Sequence, residues 1–359
     1  MRMLLVTNDY PPRAGGIQRY LSSLVKCFPG ETRVLAPAAP AVPPLPGVVR
    51  GDRTFLWPTS SVRDWVTRQV EEFRPEVLVF GAPWPLASLG PALARRTGIP
   101  FAVITYGADL TVPAALPVLR QVVAGTLRRA AAVFSLSRYT TARTERLTGR
   151  VVHYLGCGID LEAFHPGVAG REWPVVGCVS RFVERKGQAR VLRAAHDLWR
   201  SGRRLEVLLV GEGPGERRLR RLAEQVEVPV RFEVGASWDR LPELYREMDI
   251  FCMPVHSRWL GLEVEGLGIV YLEAAATGLP VLAGGSGGAP ETVEPGVTGF
   301  VVRSDAHLRQ GLELLLGQPE RARLMGEAGR RRVGESFSWK AVVERFQAGL
   351  AGAVRAGRE

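Results

Sequence analysis

The sequence predicts an α/β protein built from two doubly wound domains, and three observations carry that prediction. Short apolar runs alternate with amphipathic stretches of helical length from one end of the chain to the other. A Gly- and Pro-rich break interrupts the alternation near the middle. The length of 359 residues fits two domains at roughly 150 residues each.

The first run, Met3–Thr7, reads as a buried strand and leads through a polar, proline-rich loop to the helical spacing of Ile17–Cys27. Further runs follow at Val34–Ala36, Val77–Phe80, Phe101–Thr105 and Ala132–Leu136. Beyond residue 165 come Val175–Val179, Glu206–Val210, Arg231–Val234, Ile250–Met253 and Pro280–Ala283. Each is rich in Val, Leu, Ile or Phe and bounded by Gly, Pro or polar residues, the pattern of parallel strands covered on both faces. Val191–Arg200, Leu241–Met248 and Leu308–Leu316 carry helical spacing between them, and Val62, Trp65, Val66 and Phe73 make an apolar stripe of the kind that faces a core. The break falls at Leu155–Pro174, where Gly156, Gly158, Pro166, Gly167, Gly170 and Pro174 lie within twenty residues. A first domain of 1–160 follows, with the second beginning at 161. In such sheets ligands bind outside the carboxyl ends of the strands, so the cleft between the domains is the expected site.

Composition narrows the function. A hydrophobic fraction of 46% with 23% charged residues excludes disorder, collagen and coiled coil. Cys27, Cys157, Cys178 and Cys252 are scattered without a C-x-x-C pair, which argues against a disulfide scaffold or structural zinc and for a reducing compartment. The apolar start is too short for a signal peptide, and no run approaches the ~18 residues that span a bilayer. A cytoplasmic protein is expected, either free or peripheral to the inner face of the membrane. Residues 1–160 hold 19 basic and 10 acidic side chains, and residues 161–359 hold 28 and 26. The net +9 of the first half suits an anionic partner, or else an arginine-rich surface without a specific role. No nucleic-acid motif accompanies the charge.

Four segments carry chemistry. Gly15 and Gly16 stand between the loop Asn8–Arg13 and the first helix, where backbone N–H groups can approach an anion, although such pairs often only turn the chain. The segment lacks the G-x-G-x-x-G pattern of a dinucleotide site. Arg181 follows the strand Val175–Val179, and Glu184-Arg185-Lys186-Gly187 is read as opening a helix. Cations at a helix start are electrostatically out of place unless an anion is bound; an Arg fork with a mobile Lys suits a diphosphate, with a solvated basic loop as the alternative. In Glu263–Glu273, seven residues separate Glu265 from Glu273. Gly266 and Gly268 allow a close approach to a helix carrying Ile269, Leu272 and Ala276 inward. Two carboxylates at different heights along one helix can accept from hydroxyls at two places on an elongated polyol ligand, and a carboxylate inside an apolar helix requires a partner or ligand. Gly284-Gly285-Ser286-Gly287-Gly288 reads as a flexible, anion-friendly loop.

Together, the Gly-Gly loop, the Arg181/Lys186 pair, the E-x7-E spacing and the S-G-G-A-P-E-T-V segment resemble retaining glycosyltransferases of family 4, with the GT-B fold. The likeness covers nearly the whole chain, including Phe337-Ser338-Trp339. The segments E-G-L-G-I-V-Y-L-E-A and N-D-Y-P-P-R-x-G-G-I-Q are similar to GDP-mannose-dependent α-mannosyltransferases that act on phosphatidylinositol mannosides. The resemblance implies two Rossmann-like domains, 1–160 and 161–336, facing across a cleft, with the last helix, 337–359, crossing back onto the first. The first would be the acceptor domain and the second the nucleotide-sugar donor domain. Gly15 and Gly16 would contact the donor at its phosphate–sugar junction, and Arg181 and Lys186 would hold the diphosphate. Glu265 would take the sugar hydroxyls and Glu273 the ribose, with Gly266, Leu267, Gly268, Ile269 and Val270 lining the donor. Asp9 would lie on the acceptor side. In those mannosyltransferases a T-H-G segment places a histidine near the donor sugar. Here the segment reads Thr105-Tyr106-Gly107-Ala108-Asp109, and no histidine precedes His153. Tyr106 can still donate a hydrogen bond, but it is bulkier and is not a base near pH 7.

The expected activity is transfer of a hexose, mannose favoured, from a GDP- or UDP-linked donor to a hydroxyl acceptor with retention of configuration. No carboxylate is placed as a double-displacement nucleophile, so front-face substitution through an oxocarbenium-like transition state is the expected course. Charge builds on the leaving β-phosphate, where Arg181 and Lys186 stabilise it. No cofactor or catalytic metal is expected, because side-chain cations replace Mg²⁺. The acceptor reads as an anionic glycolipid at a membrane surface or as a soluble sugar or secondary metabolite. Two rival activities fit the same residues: a GT-B epimerase or phosphorylase, and a non-enzymatic sugar- or anion-binding protein.

Overall fold

The computed structural model describes residues 1–13, 15–39, 43–107, 109–110, 115–167 and 171–356. Ala108 and Gly170, quoted above, lie outside the described residues. The chain divides into two units: Met1–Gly158 together with the helix Trp339–Ala356, and Ile159–Ser338.

In the first unit β1 (Arg2–Val6), β2 (Glu31–Ala36), β3 (Val48–Arg50), β4 (Val77–Phe80), β5 (Phe101–Thr105), β6 (Ala132–Ser135) and β7 (His153–Tyr154) form one sheet in the order β3-β2-β1-β4-β5-β6-β7. All its pairings are parallel, with Val6 opposite Leu35 on one side and Phe80 on the other. Every residue of β4 and β5 is buried, which is why both read as unbroken apolar runs. The helices are α1 (Gly16–Cys27), α2 (Ser60–Phe73), α3 (Gly90–Thr97), α4 (Pro117–Arg129) and α5 (Arg138–Thr148). Thr59 caps α2, its hydroxyl accepting from the Val62 N–H at 3.3 Å. The stripe on α2 is core: Val62, Val66, Val70 and Phe73 are buried against Leu4, Leu78 and Val103, with Trp65 packed at the edge. Each fully buried side chain of this size contributes roughly 1.5–3 kcal/mol.

In the second unit β8 (Val175–Val179), β9 (Glu206–Val210), β10 (Val230–Glu233), β11 (Ile250–Met253), β12 (Val281–Gly284) and β13 (Gly299–Val302) are parallel in the order β10-β9-β8-β11-β12-β13. Its helices are α6 (Gln188–Arg200), α7 (Glu216–Ala223), α8 (Leu241–Arg246), α9 (Ile269–Ala276), α10 (Asp305–Gly317) and α11 (Pro319–Ser336). The chain then returns to the first unit as α12 (Trp339–Ala356). Phe346 of α12 meets the Phe134 ring at 4.9 Å and the Phe28 ring at 6.0 Å, and Trp339 lies 5.6 Å from Tyr20.

The division differs by two residues at each crossing from the expected 1–160, 161–336 and 337–359. Ile159 bridges Ser338, and its N–H donates to the Phe337 carbonyl at 2.7 Å. That pairing ties residues 159–160 and 337–338 to the second unit. In both sheets the strand order reverses once, between β1 and β4 and between β8 and β11. The segments leaving β1, β8 and β11 therefore emerge beside the two crevices where such sheets bind ligands.

Candidate active site

The second unit concentrates charge beyond β8 and β11. After β8 the chain passes Ser180 and Arg181 and makes a 3₁₀ turn at Glu184–Lys186. Gly187 follows at φ 82°, and only then does α6 begin at Gln188. Lys186 therefore precedes the helix instead of opening it. A Cβ on Gly187 would stand 2.7 Å from the Pro254 carbonyl oxygen, so the turn accepts only glycine there. The Lys186 Nζ donates to Glu265 Oε2 at 2.8 Å, and Arg185 Nη1 donates to the same oxygen at 2.8 Å. Arg185 also donates through Nε to Glu263 at 3.0 Å. The anion that Lys186 requires is thus supplied by the protein itself. Burial pushes the Glu265 carboxyl up, but Lys186 and Arg185 together outweigh burial and hold it below the ordinary carboxylate value. Both cations grip Oε2. Oε1 carries no hydrogen bond among the described residues.

The backbone of Glu265 is fixed from the opposite side. Its N–H donates to the Ser286 hydroxyl at 3.2 Å, and its carbonyl accepts from the Gly288 N–H at 2.9 Å. The Gly284–Gly288 segment, expected as a flexible anion loop, is instead a clamp on this residue. Ser286 is fully buried, and a Cβ at Gly287 would lie 1.9 Å from the Glu265 carbonyl oxygen. The glycines there serve close backbone packing.

Arg181 is exposed and has no hydrogen-bond or ion-pair partner for its side chain among the described residues. Its backbone is held, since its carbonyl accepts from the buried Gln188 Nε2 at 2.8 Å. Glu265 stands ahead of α9 and Glu273 inside it, one turn on. The α9 N-terminus follows Gly268 at φ 85° without a side-chain cap, which leaves its first turn suited to an anion. Leu267 and Gly268 are buried, and Gly266, Ile269 and Val270 are half-buried; Ile269 is thus less inward-facing than expected, while Leu272 and Ala276 are fully buried. Glu273 is buried and accepts from the Tyr245 hydroxyl at 3.0 Å, the partner that a carboxylate in an apolar helix demands.

In the first unit the segment leaving β1 holds Asp9, Gly15 and Gly16. Asn8 straps it to the loop before α2, accepting from the Leu56 N–H at 2.8 Å and donating to the Leu56 carbonyl at 3.0 Å. Gln18, on the first turn of α1, donates to Asp9 Oδ1 at 2.8 Å. The Gln18 Oε1 would lie 2.2 Å from a Cβ on Gly15, so glycine lets Gln18 fold over the loop. Burial raises the Asp9 carboxyl against the lowering effect of Arg13. Tyr106 lies at the end of β5, its ring edge-on to Tyr20 at 6.1 Å. Its hydroxyl is buried without a hydrogen-bond partner, and burial foremost, with Tyr20 and Asp109 adding to it, keeps that hydroxyl protonated. Asp109 accepts from the Tyr106 and Gly107 N–H groups at 3.0 and 2.6 Å, and burial lifts its carboxyl to about 6 despite those bonds.

Of the expected residues, Lys186 and Glu265 are joined directly. Arg181 lies on the segment leaving β8 and Glu273 inside α9, while Asp9, Gly15 and Gly16 lie on the segment leaving β1 and Tyr106 follows β5. Sequence reasoning missed Arg185, Glu263, Ser286, Tyr245, Asn8 and Gln18. Arg185 carries no local mark of a role, because its carboxylate partners lie 78 and 80 residues away. Among the described residues no group of three or more His, Cys, Asp or Glu side chains is placed to hold a metal ion. No described helix is long and apolar enough to cross a membrane.

Comparison with known proteins gives the arrangement its context. The family described as "Glycosyl transferases group 1" matches residues 165–332, and "Glycosyl transferase 4-like domain" matches residues 4–158. The chain is 39% identical to a GDP-mannose-dependent alpha-(1-6)-phosphatidylinositol monomannoside mannosyltransferase of Mycolicibacterium smegmatis, over 94% of this chain and 95% of that one. A GDP-mannose-dependent monoacylated alpha-(1-6)-phosphatidylinositol monomannoside mannosyltransferase of Corynebacterium glutamicum is 34% identical, with 96% of each chain covered. Among solved structures, sucrose-phosphate synthase from Thermosynechococcus elongatus superposes with a TM-score of 0.83 at 21% identity, over 99% of both chains. Anabaena HepE, solved with UDP and glucose, gives 0.78 at 18% identity over 98% of this chain and 99% of its own. At these identities the two structures establish the shared fold.

Proposed function

This chain belongs to the group 1, family 4 glycosyltransferases of GT-B fold, and from that membership we propose that it moves mannose from GDP-mannose to a hydroxyl of a phosphatidylinositol-based glycolipid, with retention of configuration. The donor and acceptor are those in the names of its relatives at 34–39% identity. The observation that carries the reading is the Glu265 cradle. Two cations fix Oε2 and leave Oε1 open, which suits a carboxylate that accepts from sugar hydroxyls beside a diphosphate. Arg181, held by its backbone and unpaired in its side chain, would neutralise the diphosphate and the charge that develops on the leaving β-phosphate, and Lys186, anchored on Glu265 Oε2, would offer its remaining donors to the same phosphate. The uncapped start of α9, with Gly266 to Val270 around it, would receive phosphate oxygens. Glu273, held by Tyr245, would accept from the ribose. Gly15 and Gly16 would meet the phosphate–sugar junction, Asp9 would serve the acceptor side, and the Tyr106 hydroxyl, buried and unpartnered in the protein itself, would find its acceptor in the bound sugar.

In this course the bond from the anomeric carbon to the β-phosphate oxygen opens on the same face that the acceptor oxygen enters. The departing phosphate oxygen takes the acceptor's proton. The roles given to Arg181 and Lys186 require no metal, and EDTA is expected to leave turnover intact; full loss restored by Mg²⁺ would refute that part.

The acceptor side carries the membrane reading. Net charge is +9 over residues 1–160, and α4 has Arg120, Arg128 and Arg129 without an acidic residue. Leu116, Val118 and Val122 are exposed beside them. Such a surface fits a membrane rich in anionic lipid, where each basic residue adds about 1 kcal/mol, attenuated by salt. The donor is tested by a thermal-shift series. GDP-mannose should raise Tm more than UDP-glucose or UDP-galactose, since a bound donor stabilises by RT ln(1 + [L]/Kd). Equal shifts from all three would refute the GDP assignment.

A further inference from the structure

Between β11 and α9 the chain makes a small antiparallel pairing that the proposed roles do not use. The Arg258 N–H donates to the Glu263 carbonyl at 3.0 Å, and the Glu263 N–H returns to the Arg258 carbonyl at 3.3 Å, with a 3₁₀ turn at Trp259–Gly261 between them. Trp259 begins that turn at φ 49°, a left-handed conformation that costs a bulky side chain and suits Gly or Asn. The indole recovers little of that cost by burial, since 66% of its surface is exposed. Strained non-glycine residues persist where function uses the side chain they present.

The surroundings make the ring a prepared surface. The Arg258 guanidinium lies over one face of the indole, 5.2 Å from its centroid, and is itself held by the Glu184 carboxylate at 3.6 Å. With that side covered, the open face and edge meet solvent. The pairing also ties this ring to the site, because Glu263 binds Arg185 and stands two residues before Glu265. A pyranose presents a face of C–H bonds, and an indole presents an electron-rich face of similar size. Resting on the glycosyl-transfer reading, we propose that Trp259 is a stacking platform for a pyranose ring of one of the two substrates, at the rim of the Glu265 cradle.

The test uses the full-length enzyme with Trp259→Ala, Trp259→Phe and Trp259→Gly, scored by the KM for donor, the KM for acceptor and Tm. Trp259→Ala and Trp259→Gly should raise one KM by roughly 3- to 10-fold, the scale of one aromatic contact, while Trp259→Phe stays near wild type. A rise confined to the donor KM assigns the ring to the donor sugar, and a rise confined to the acceptor KM assigns it to the acceptor. Trp259→Gly should also raise Tm by relieving the left-handed strain, a gain that a packing residue would not give. Both KM values within about twofold of wild type would overturn the proposal, as would a fall in Tm with both KM values raised together. Wild-type turnover decides the parent reading separately: an inactive wild type removes glycosyl transfer, whereas an active wild type with indifferent variants removes only the platform.

Discussion

Replacing Arg185 with Gln takes one of two cations from Glu265 and leaves the fold around it intact. The structure sets the size of the effect. The lost bond to Glu265 Oε2 is 2.8 Å long between side chains only 18% and 11% exposed, so it is a charge-assisted bond in a largely dry setting. Such bonds are worth about 1.5–3 kcal/mol. The second lost bond, to the one-third-exposed Glu263, adds at most about 1 kcal/mol. If the cradle aligns the donor sugar, kcat/KM should fall roughly 10- to 150-fold. The pH dependence gives an independent sign. Burial raises the Glu265 carboxyl and the two cations lower it, so losing one cation moves its pKa up and carries the acid limb of kcat/KM to higher pH. In the wild type, stability from this depressed carboxylate is complete above its ordinary pKa of 4.5 and is lost as pH falls through the folded value. Initial rates and melts taken from about pH 3 to about pH 7 read both effects, and Arg185→Lys should recover part of the rate by restoring charge without the fork. An Arg185→Gln enzyme with wild-type kcat/KM and an unmoved acid limb would refute the claim that this contact organises Glu265.

Three further outcomes follow from the same geometry. Arg181→Ala and Lys186→Ala should each lower kcat by roughly 10²- to 10³-fold, and only Lys186→Ala should also lower Tm, because only Lys186 is paired inside the protein; wild-type kinetics in both would end the diphosphate assignment. Tyr106→Phe should leave Tm unchanged or slightly raised, since it removes a buried hydroxyl with no partner, yet lower kcat/KM measurably, and unchanged kinetics would remove Tyr106 from the site. Asp109 is held near 6 in the fold, so the wild type should lose stability, relative to Asp109→Asn, as pH rises from about 3.8 to about 6; parallel melting curves across that window would show that the fold does not raise this carboxyl.

The two-sheet architecture was readable because β4, β5, β8 and β11 are buried on both faces, and such strands must be written as unbroken apolar runs. The strands that escaped notice are the short ones near the sheet edges. β3 is three half-buried residues, β7 is an exposed His153 and a half-buried Tyr154, and β13 begins at Gly299, where a Cβ would meet the Val281 carbonyl oxygen at 2.0 Å. The spacing of Glu265 and Glu273 and the placement of Arg181 and Lys186 could be read locally, since each depends on one loop following one strand. The second layer of the site could not. Arg185 reaches its carboxylates across 78 to 80 residues, Ser286 and Gly288 clamp Glu265 from beyond the next strand, and Tyr245 meets Glu273 from a separate helix. Each of these is a contact made by the sheet order, and a linear pattern carries no mark of it.

The most direct test of the account is a transfer assay with purified protein, GDP-[¹⁴C]mannose and a phosphatidylinositol monomannoside presented in anionic vesicles. The account predicts one labelled, more polar glycolipid whose new linkage is α by NMR, formed at a rate that falls when Lys186 or Glu265 is replaced. Release of free mannose alone, a β linkage, or equal labelling by the Lys186 and Glu265 variants would contradict it.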